Sequence, residues 1–248
     1  VCVNPFGTLY NPVSVCNSIR RLESAVSFSE DECVRMGAGS QLFCSFSHHT
    51  AAARETKEEF IDNANAALAE ASDFFRKASV VVITLGTAWT FKFNATGEIV
   101  SNCLKRDAKE FTRERQSVNI CSMLLNSLVG RYPDKRFIFT VSPIRHLKDG
   151  AHGNQISKST LLMATERVVQ DHPWQCVYFP AYEIMMDELR DYRFYAEDMI
   201  HPSAQAVNYI WERFCDFALP QAERATLEKN RKAFLQSQHR SITEKKEI

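Results

Sequence analysis

Apolar residues recur at helical spacing over several long stretches of the chain. Between residues 56 and 77 they fall on one face, with glutamate, aspartate and lysine opposite, which predicts an amphipathic helix that covers a core. Another helix is expected to begin at Asn11-Pro12 and to run through Leu22, because asparagine caps helices and proline suits their first turn. The same spacing predicts helices over 118–131, 157–169 and 204–217, and a charged helical tail over 219–248.

Short runs of β-branched and aromatic residues separate these helices. SVVVITL (79–85) and RFIFTV (136–141) are continuous apolar runs, typical of strands buried on both faces of a parallel sheet, and residues 175–179 predict a third strand. Because strands alternate with helices, the pattern predicts the α/β class, with a mostly parallel sheet flanked by helices. Further strands are expected at 1–3 and 42–50, and a hairpin-like insertion at 91–100.

Polar residues follow the two longest predicted strands at the point where each strand ends. GTAW (86–89) comes after the first strand, and SPIRH (142–146) comes after the second. Because open α/β sheets bind ligands at the carboxyl ends of their strands, both segments are candidate binding segments. They contain the candidate substrate-binding residues Gly86, Thr87, Arg145 and His146.

Two polar stretches beside these segments are expected to border a cleft. Residues 147–155 are rich in glycine and include Asn154, which predicts a loop long enough to act as a lid or a binding loop. Residues 101–116 predict a surface excursion that walls the cleft.

An acid and a histidine lie three residues apart after the aromatic run that begins at Tyr192. Asp198 and His201 stand on an expected loop, just before Pro202 and the helix at 204–217. In this arrangement the carboxylate can accept the Nδ1–H of the imidazole, which leaves Nε2 as a general base. The same spacing also arises by chance, so an ordinary loop pair is the alternative.

Composition narrows the possible partners and compartments. Lys+Arg and Asp+Glu both count 30, and no long basic stretch occurs, so nucleic acid is not expected as a partner. The eight cysteines are scattered without a C-x-x-C pair, which predicts free, mostly buried thiols in a reducing, cytoplasmic setting, with no metal and no cofactor. No apolar run is long enough to span a membrane.

The first residues are neither a signal peptide nor a plausible translation start, since the chain opens without methionine inside an expected strand. We therefore expect further residues upstream of Val1. An export signal among them stays open, and the sequence does not determine the oligomeric state.

Six motifs occur along the chain in a characteristic order and spacing: NPFGTLYNP, SFSHH, TLGTAW, TVSPIRHLKDGAHGNQISKSTLL, YFPAYEIMMDELRDYRFYAEDMIHPS and AVNYIWERF. Together they resemble the GSCFA family of bacterial proteins, which is placed with the SGNH-type, GDSL-like hydrolases. The resemblance extends from Val1 to about Phe217, and implies one flavodoxin-like, three-layer α/β/α domain over 1–218 with Asp198 and His201 as the acid and base of a triad.

The resemblance also implies a nucleophile that these residues do not contain. The pentapeptide that names the family, Gly-Ser-Cys-Phe-Ala, supplies the expected serine after the first strand, and it does not occur in the sequence. The nucleophile is therefore expected upstream of Val1. Gly39-Ser40 falls after the NPFG turn, at the wrong place in the order of motifs.

The expected oxyanion site departs from the superfamily pattern. By position, Gly7 matches the glycine whose N–H binds the oxyanion, but at the Gly-x-Asn position the chain has Ala88 in place of the amide donor. Either Thr87 or a residue of another loop, with Arg145 and Asn154 as candidates, compensates for the missing donor, or the chemistry differs. For Arg145 and Asn154, the ordering of their own loops by hydrogen bonds is an equally open alternative.

These observations support ester chemistry as the leading functional hypothesis. A serine attacks an acyl ester of a small molecule or a carbohydrate, His201 transfers the proton, and Asp198 stabilises the imidazolium; the acyl group then passes to water or to another alcohol. The aromatic residues Trp89, Tyr192 and Tyr195 are candidates for stacking on a sugar ring, with a place in the core as the more ordinary interpretation.

Two other hypotheses come from different classes. The first is a catalytically weak or inactive carbohydrate-binding or scaffold protein, supported by Ala88 and by the absent nucleophile. The second is a metal-dependent hydrolase, which has four histidines but no ligand-type spacing among them: His48, His49, His146 and His201. We interpret the adjacent His48 and His49 as ordinary polar residues at a strand end.

Overall fold

The computed structural model describes residues 1–238. Its contacts divide the chain into two compact units, Val1–Glu188 and a second unit that begins at Leu189. The single domain predicted over 1–218 stays a prediction. The elements of the first unit are α1 (Pro12–Ser24), β1 (Cys33–Arg35), β2 (Phe43–Ser45), α2 (Lys57–Lys77), β3 (Val80–Leu85), β4 (Trp89–Phe93), β5 (Ile99–Val100), β6 (Phe111–Arg115), α3 (Val118–Arg131), β7 (Arg136–Val141), α4 (Gly150–Asp171), β8 (Cys176–Phe179) and α5 (Ala181–Glu183).

A three-stranded parallel sheet organises the first unit. Its strand order is β3-β7-β8, and Leu85 lies opposite Val141 at the ends of the first two strands. The predicted parallel strands are thus confirmed, and the chain has a mixed α/β fold. Because the strands are parallel, the segments that follow β3 and β7 leave the sheet at the same edge.

One face of this sheet carries most of its buried side chains. Ile83, Leu85 and Phe139 are buried on that face. On the other face Val80 is 48% exposed and Val82 is 51% exposed. The predicted burial of the first strand on both faces is therefore wrong. Side chains alternate between the faces of a strand, and within residues 1–238 only one face of β3 is covered.

The helices form where capping residues and apolar spacing agree. Asn11 caps α1 by accepting a hydrogen bond from the Ser14 N–H, and Thr56 caps α2 in the same way. The helices α1, α2, α3 and α4 turn apolar residues to the core, as the periodicity predicts. The boundaries predicted for α1, α2 and α3 are confirmed to within about two residues.

The segment between β3 and α3 forms a second, antiparallel sheet with strand order β5-β4-β6. The predicted hairpin at 91–100 is confirmed, and Gly97 adopts the positive φ (+75°) that its turn requires. The second half of the stretch expected as a surface excursion, 101–116, contains the strand β6, which pairs with β4 from Trp89–Arg115 to Phe93–Phe111. The excursion itself stays a prediction. The strand pattern of β6 is masked in the sequence by three consecutive charged residues, Arg113, Glu114 and Arg115.

Near the amino terminus, the structure differs from two of the predicted strands. Residues 1–11 contain no strand, and the strand expected at 42–50 is limited to β2, which pairs with β1. His48 is not a strand-end polar residue, because it is buried against Phe6, Phe28 and Phe60. Burial, with Arg21 nearby, lowers the pKa of His48 to about 4, so this histidine is a neutral core residue.

The lid loop predicted at 147–155 is wrong. One turn of 3-10 helix, Leu147–Asp149, leads directly into α4, whose first residue Gly150 has a φ of +65°. An ion pair between Arg113 and the buried Asp149 anchors this turn to β6. The glycine content suggested a flexible loop, but a contact distant in sequence fixes the segment as the start of a helix.

Within residues 189–238, the second unit consists of one closed loop followed by two helices. Helix α6 (Ala204–Ala218) is capped by Ser203, and α7 (Gln221–Gln238) is joined to it by an ion pair between Arg224 and Asp216 at 2.6 Å. The charged helical tail expected over 219–248 stays a prediction as a separate segment; α7 covers its described part, and residues 239–248 lie outside the described part of the chain. No helix within residues 1–238 is long and apolar enough to cross a membrane.

Candidate functional site

Asp198 and His201 make the direct contact that their spacing predicts. Asp198 Oδ2 lies 2.6 Å from His201 Nδ1, and Asp198 Oδ1 accepts the backbone N–H groups of Ile200 at 2.9 Å and of His201 at 3.0 Å. The backbone N–H of His201, its side chain and the N–H of Ile200 lower the pKa of Asp198 to about 2. The carboxylate is therefore ionised at neutral pH and can only accept, which places the proton on Nδ1.

A closed loop holds the pair in place. Ala196 N–H donates to the His201 carbonyl at 2.8 Å, and Ser203 N–H donates to the Phe194 carbonyl at 2.7 Å. Between them Met199 adopts a φ of +59°, a conformation that side-chain-bearing residues rarely adopt. The loop thus presents the acid and the base from one rigid turn immediately before α6.

The pair is open to solvent within its unit. The side chain of His201 is 57% exposed and that of Asp198 is 45% exposed. An ion pair in water adds little stability. Because Nδ1 is bound to the carboxylate, Nε2 is the nitrogen that can take or return a proton, as general acid–base catalysis requires.

At the carboxyl edge of the parallel sheet, the first edge loop (residues 86–88) has its N–H groups bound internally. Gly86 N–H and Thr87 N–H both donate to the carbonyl of Tyr10, at 2.7 and 2.9 Å. Gly86 also lies so close to the Tyr10 ring that a Cβ at this position would come within 3.3 Å of it. These two N–H groups therefore do not point to a ligand in this structure.

Gly7, the other predicted oxyanion donor, closes a turn. Its N–H donates to the Asn4 carbonyl at 2.7 Å, and its φ is +80°. A Cβ at this position would stand 2.3 Å from the Cβ of His49. Close packing against His49 is sufficient to explain the glycine.

The side chains of the first edge loop are engaged as well. Thr87 Oγ1 accepts the N–H of Trp89 at 3.1 Å and lies 3.1 Å from Ser157 Oγ. Ser157 Oγ also accepts the Ala88 N–H at 2.8 Å. Ala88 is completely buried, so an asparagine side chain would not fit there without displacing its neighbours.

The second edge loop (residues 142–146) brings two more predicted residues together. Asn154 Oδ1 accepts the backbone N–H of His146 at 3.0 Å, so Asn154 orders this loop. The His146 ring meets the Tyr10 ring edge to face at a centroid distance of 6.4 Å. Arg145 is half-buried in the same loop.

His146 is held in its neutral form. Burial, followed by the nearby charge of Lys158, lowers the pKa of His146, while Asp149 and a hydrogen bond with the Gly86 backbone oppose this shift. A neutral imidazole keeps one ring nitrogen as a hydrogen-bond acceptor. His146 is therefore suited to bind a polar group.

Lys158 is a site residue that sequence reasoning missed. It is completely buried in α4, and its Nζ donates to the carbonyls of Gly86 and Ser142, each at 2.6 Å. Burial lowers the pKa of Lys158 to about 7 from its usual 10.5. The available signal was its position on the apolar side of α4, three residues before Leu161 and ten before Val168.

A second cluster that was missed lies beside the first edge loop. The guanidinium of Arg113 stacks 3.9 Å above the Trp89 ring and pairs with the carboxylate of Asp149, which is almost wholly buried. One face of Trp89 is thus already covered by a cation. Of the other predicted stacking residues, Tyr192 is exposed and lies 6.1 Å from Tyr195, ring centroid to ring centroid.

Comparison with known proteins gives a single finding. The model of the GSCFA family matches residues 1–214. The chain belongs to the GSCFA family. No curated protein and no solved structure matches it.

The predicted site residues of this GSCFA chain fall into two groups. Gly7, Gly86, Thr87, Arg145, His146 and Asn154 belong to the first unit, and Asp198 and His201 belong to the second. Within the first unit, hydrogen bonds and ring contacts link the two edge loops, Tyr10 and α4.

The four histidines considered as metal ligands have separate local roles. His48 lies in the aromatic core, and the Nδ1 of His49 accepts the Ala51 N–H at 3.2 Å. His146 lies in the second edge loop, and His201 pairs with Asp198. Residues 1–238 contain no cluster of three or more His, Cys, Asp or Glu that could hold a metal ion.

Proposed function

We propose that this GSCFA chain is an SGNH-type serine esterase or acyltransferase that acts on an O-acyl ester. The observation that carries the proposal is the ionised Asp198 carboxylate bound to Nδ1 of His201, which leaves Nε2 for proton transfer. Family membership supports it, because the motifs resemble a family placed with SGNH-type hydrolases. The parallel sheet is compatible with the flavodoxin-like, three-layer α/β/α fold that the proposal requires.

The chemistry proceeds in two proton-balanced steps. The serine of the family pentapeptide, which is not among the 248 residues, attacks the acyl carbonyl while His201 Nε2 takes the hydroxyl proton. His201 returns that proton to the leaving alcohol, and an acyl-serine remains. Water or a second alcohol then attacks the acyl-serine by the reverse sequence, so the fate of the acyl group separates hydrolysis from transfer.

The substrate in this proposal is a small-molecule or carbohydrate ester. The exposed Tyr192 offers an aromatic face for a sugar ring. Eight free cysteines, six of them buried, support the part of the proposal that places the protein in the reducing cytoplasm.

One observation favours the alternative, a weakly active or inactive carbohydrate-binding or scaffold protein. The N–H groups of Gly7, Gly86 and Thr87 are all engaged within the fold, and Ala88 carries no amide donor. In a characterised serine hydrolase the loss of one oxyanion donor lowers kcat by about 10²–10³. A protein without any of these donors would retain the fold and bind esters or sugars with little turnover.

Covalent labelling of the natural full-length protein with a fluorophosphonate tests the proposal. We expect one labelled serine, identified by mass spectrometry, and loss of labelling in His201→Ala and Asp198→Asn. His152→Ala is the matched control, because His152 is an exposed histidine in the first turn of α4. Labelling that persists in His201→Ala at the wild-type rate would remove His201 from the mechanism. Absent labelling in a folded protein that binds an acylated sugar would favour the alternative.

A further inference from the structure

One face of α4 carries three polar side chains that reach the two edge loops. Asn154, Ser157 and Lys158 are spaced by three and four residues, which places them on the same side of a helix. Asn154 accepts from the backbone of the second edge loop, and Ser157 accepts from the backbone of the first. Each loop is therefore hydrogen-bonded to its own side chain of α4.

Lys158 differs from the other two residues because it joins both loops at once. Its Nζ donates to the Gly86 carbonyl in the first edge loop and to the Ser142 carbonyl in the second, each at 2.6 Å. These carbonyls directly follow β3 and β7, which are neighbours in the parallel sheet. A single side chain thus bridges the carboxyl ends of two strands.

Burial of this amine is energetically unfavourable, which indicates that Lys158 has a role that offsets this cost. Lys158 is fully buried, and within residues 1–238 no carboxylate forms an ion pair with it. A buried lysine without a counter-ion is rare, because removing the ammonium from water is unfavourable. The neutral amine still has two N–H groups, one for each carbonyl, so both hydrogen bonds survive when the proton leaves.

We propose that Lys158 is a positioning residue that fixes the two edge loops relative to each other, and with them Thr87 and His146. The substrate part of this inference rests on the proposed function, because the carboxyl edge of the sheet is where the ester is expected to bind. The positioning part rests on the contacts of Lys158 alone.

Hydrogen exchange tests the positioning part without any assay of activity. In Lys158→Met we expect faster exchange at the amides of Gly86, Thr87 and His146, with α2 and α3 as protected as in the wild type. Lys158→Gln supplies two N–H donors without the charge and should restore part of this protection. Thr165→Val is the matched control, because Thr165 is buried in the same helix and bonds only to the carbonyls of its own turn.

Each outcome of that measurement decides the positioning role. Unchanged exchange in the edge loops would overturn it, and so would an equal loss of protection over the whole first unit, which marks a general loss of stability. If Lys158→Met does not fold, Ser157→Ala and Lys158→Gln carry the test. There we expect Ser157→Ala to release the Ala88 amide. Lys158→Gln should release the Gly86 and His146 amides in part, because its amide nitrogen lies one bond short of the lysine Nζ and cannot reach both carbonyls equally well. Wild-type protection in this shorter variant would contradict the bridge.

Kinetics of the natural full-length protein on a generic ester such as p-nitrophenyl acetate test the substrate part. A displacement of about 1 Å in a site can lower the rate about 10²-fold. We expect Lys158→Met to lower kcat on that scale with a smaller change in KM, and Lys158→Gln to recover part of kcat. A normal kcat in a variant with loosened loops would overturn the link to substrate. If the wild type shows no turnover, the proposed function fails, and exchange alone decides the positioning role.

Discussion

At the scale of single residues, Gly7 shows how packing and backbone conformation together select glycine. Its φ of +80° is unfavourable for any residue with a Cβ, and its neighbour His49 leaves no room for one. Gly97 has a similar φ of +75°, but nothing lies within 4 Å of the place where its Cβ would be. Comparing the two positions therefore separates the energetic cost of backbone strain from that of a steric clash.

We predict that Gly7→Ala destabilises the protein more than Gly97→Ala. Left-handed strain alone costs about 1–2 kcal/mol, and forced overpacking adds about 1–3 kcal/mol at Gly7 only. Urea unfolding of both variants measures the two differences. Equal losses would mean that His49 moves aside easily.

Lys158 predicts how stability depends on pH. Because its pKa is about 7 in the folded chain and the usual 10.5 when unfolded, the unfolded chain binds more protons between these values. Stability therefore rises with pH above 7. From pH 7 to 8.5 this lysine contributes at most about 2 kcal/mol, at 1.36 kcal/mol per pH unit.

Denaturant unfolding of wild type and Lys158→Met at pH 7 and 8.5 measures that contribution. The wild type should gain more stability than the variant over this interval, which lies below the raised thiol pKa values of Cys16 and Cys44. Thr165→Val should follow the wild type. A variant with the same pH dependence as the wild type would show that Lys158 keeps its ordinary pKa when folded.

At the scale of elements, the two faces of β3 differ in burial, as two adjacent residues show. Ile83 points into the core, whereas Val82 is about half exposed. We predict that Ile83→Ala lowers the free energy of unfolding by about 2–4 kcal/mol and Val82→Ala by less than about 1 kcal/mol, because only the first opens a cavity. Urea midpoints of the two variants give the comparison, and similar losses would indicate that the second face of β3 is also covered in solution.

Elements with long, regular patterns could be predicted from the sequence. The helix at 56–77 and the parallel strands β3, β7 and β8 follow from periodicity and from β-branched runs. Strand β6 could not be predicted, because its charged residues conceal a strand that forms only when β4 supplies the pairing partner. The start of α4 likewise depends on the Arg113–Asp149 pair, a contact between residues far apart in sequence.

In the candidate site too, contacts between residues close in sequence could be predicted, whereas contacts between distant residues could not. The Asp198–His201 contact spans three residues, so its geometry could be predicted from spacing alone. The role of Lys158 could not, because its two acceptors lie 72 and 16 residues away and lysine is ordinarily exposed. The Gly86 N–H was expected to be free for a related reason: its acceptor, the Tyr10 carbonyl, lies far away in the sequence and becomes known only once the chain is folded.

At the scale of the whole molecule, the cysteine thiols differ in their exposure to solvent and therefore in their reactivity. Cys2 is exposed, whereas burial raises the pKa of every other cysteine, which suppresses the reactive thiolate. These seven are Cys16, Cys33, Cys44, Cys103, Cys121, Cys176 and Cys215.

We predict that iodoacetamide at pH 8 modifies the native protein once, at Cys2, and the urea-unfolded protein eight times. Intact-mass spectrometry counts the adducts, and peptide mapping locates them. Exposure and thiolate formation must both be present for fast alkylation, so the half-buried Cys103 should react next and slowly. Rapid modification of Cys121 or Cys176, which lie in the core of the first unit, would mean that the unit opens on the time scale of the reaction.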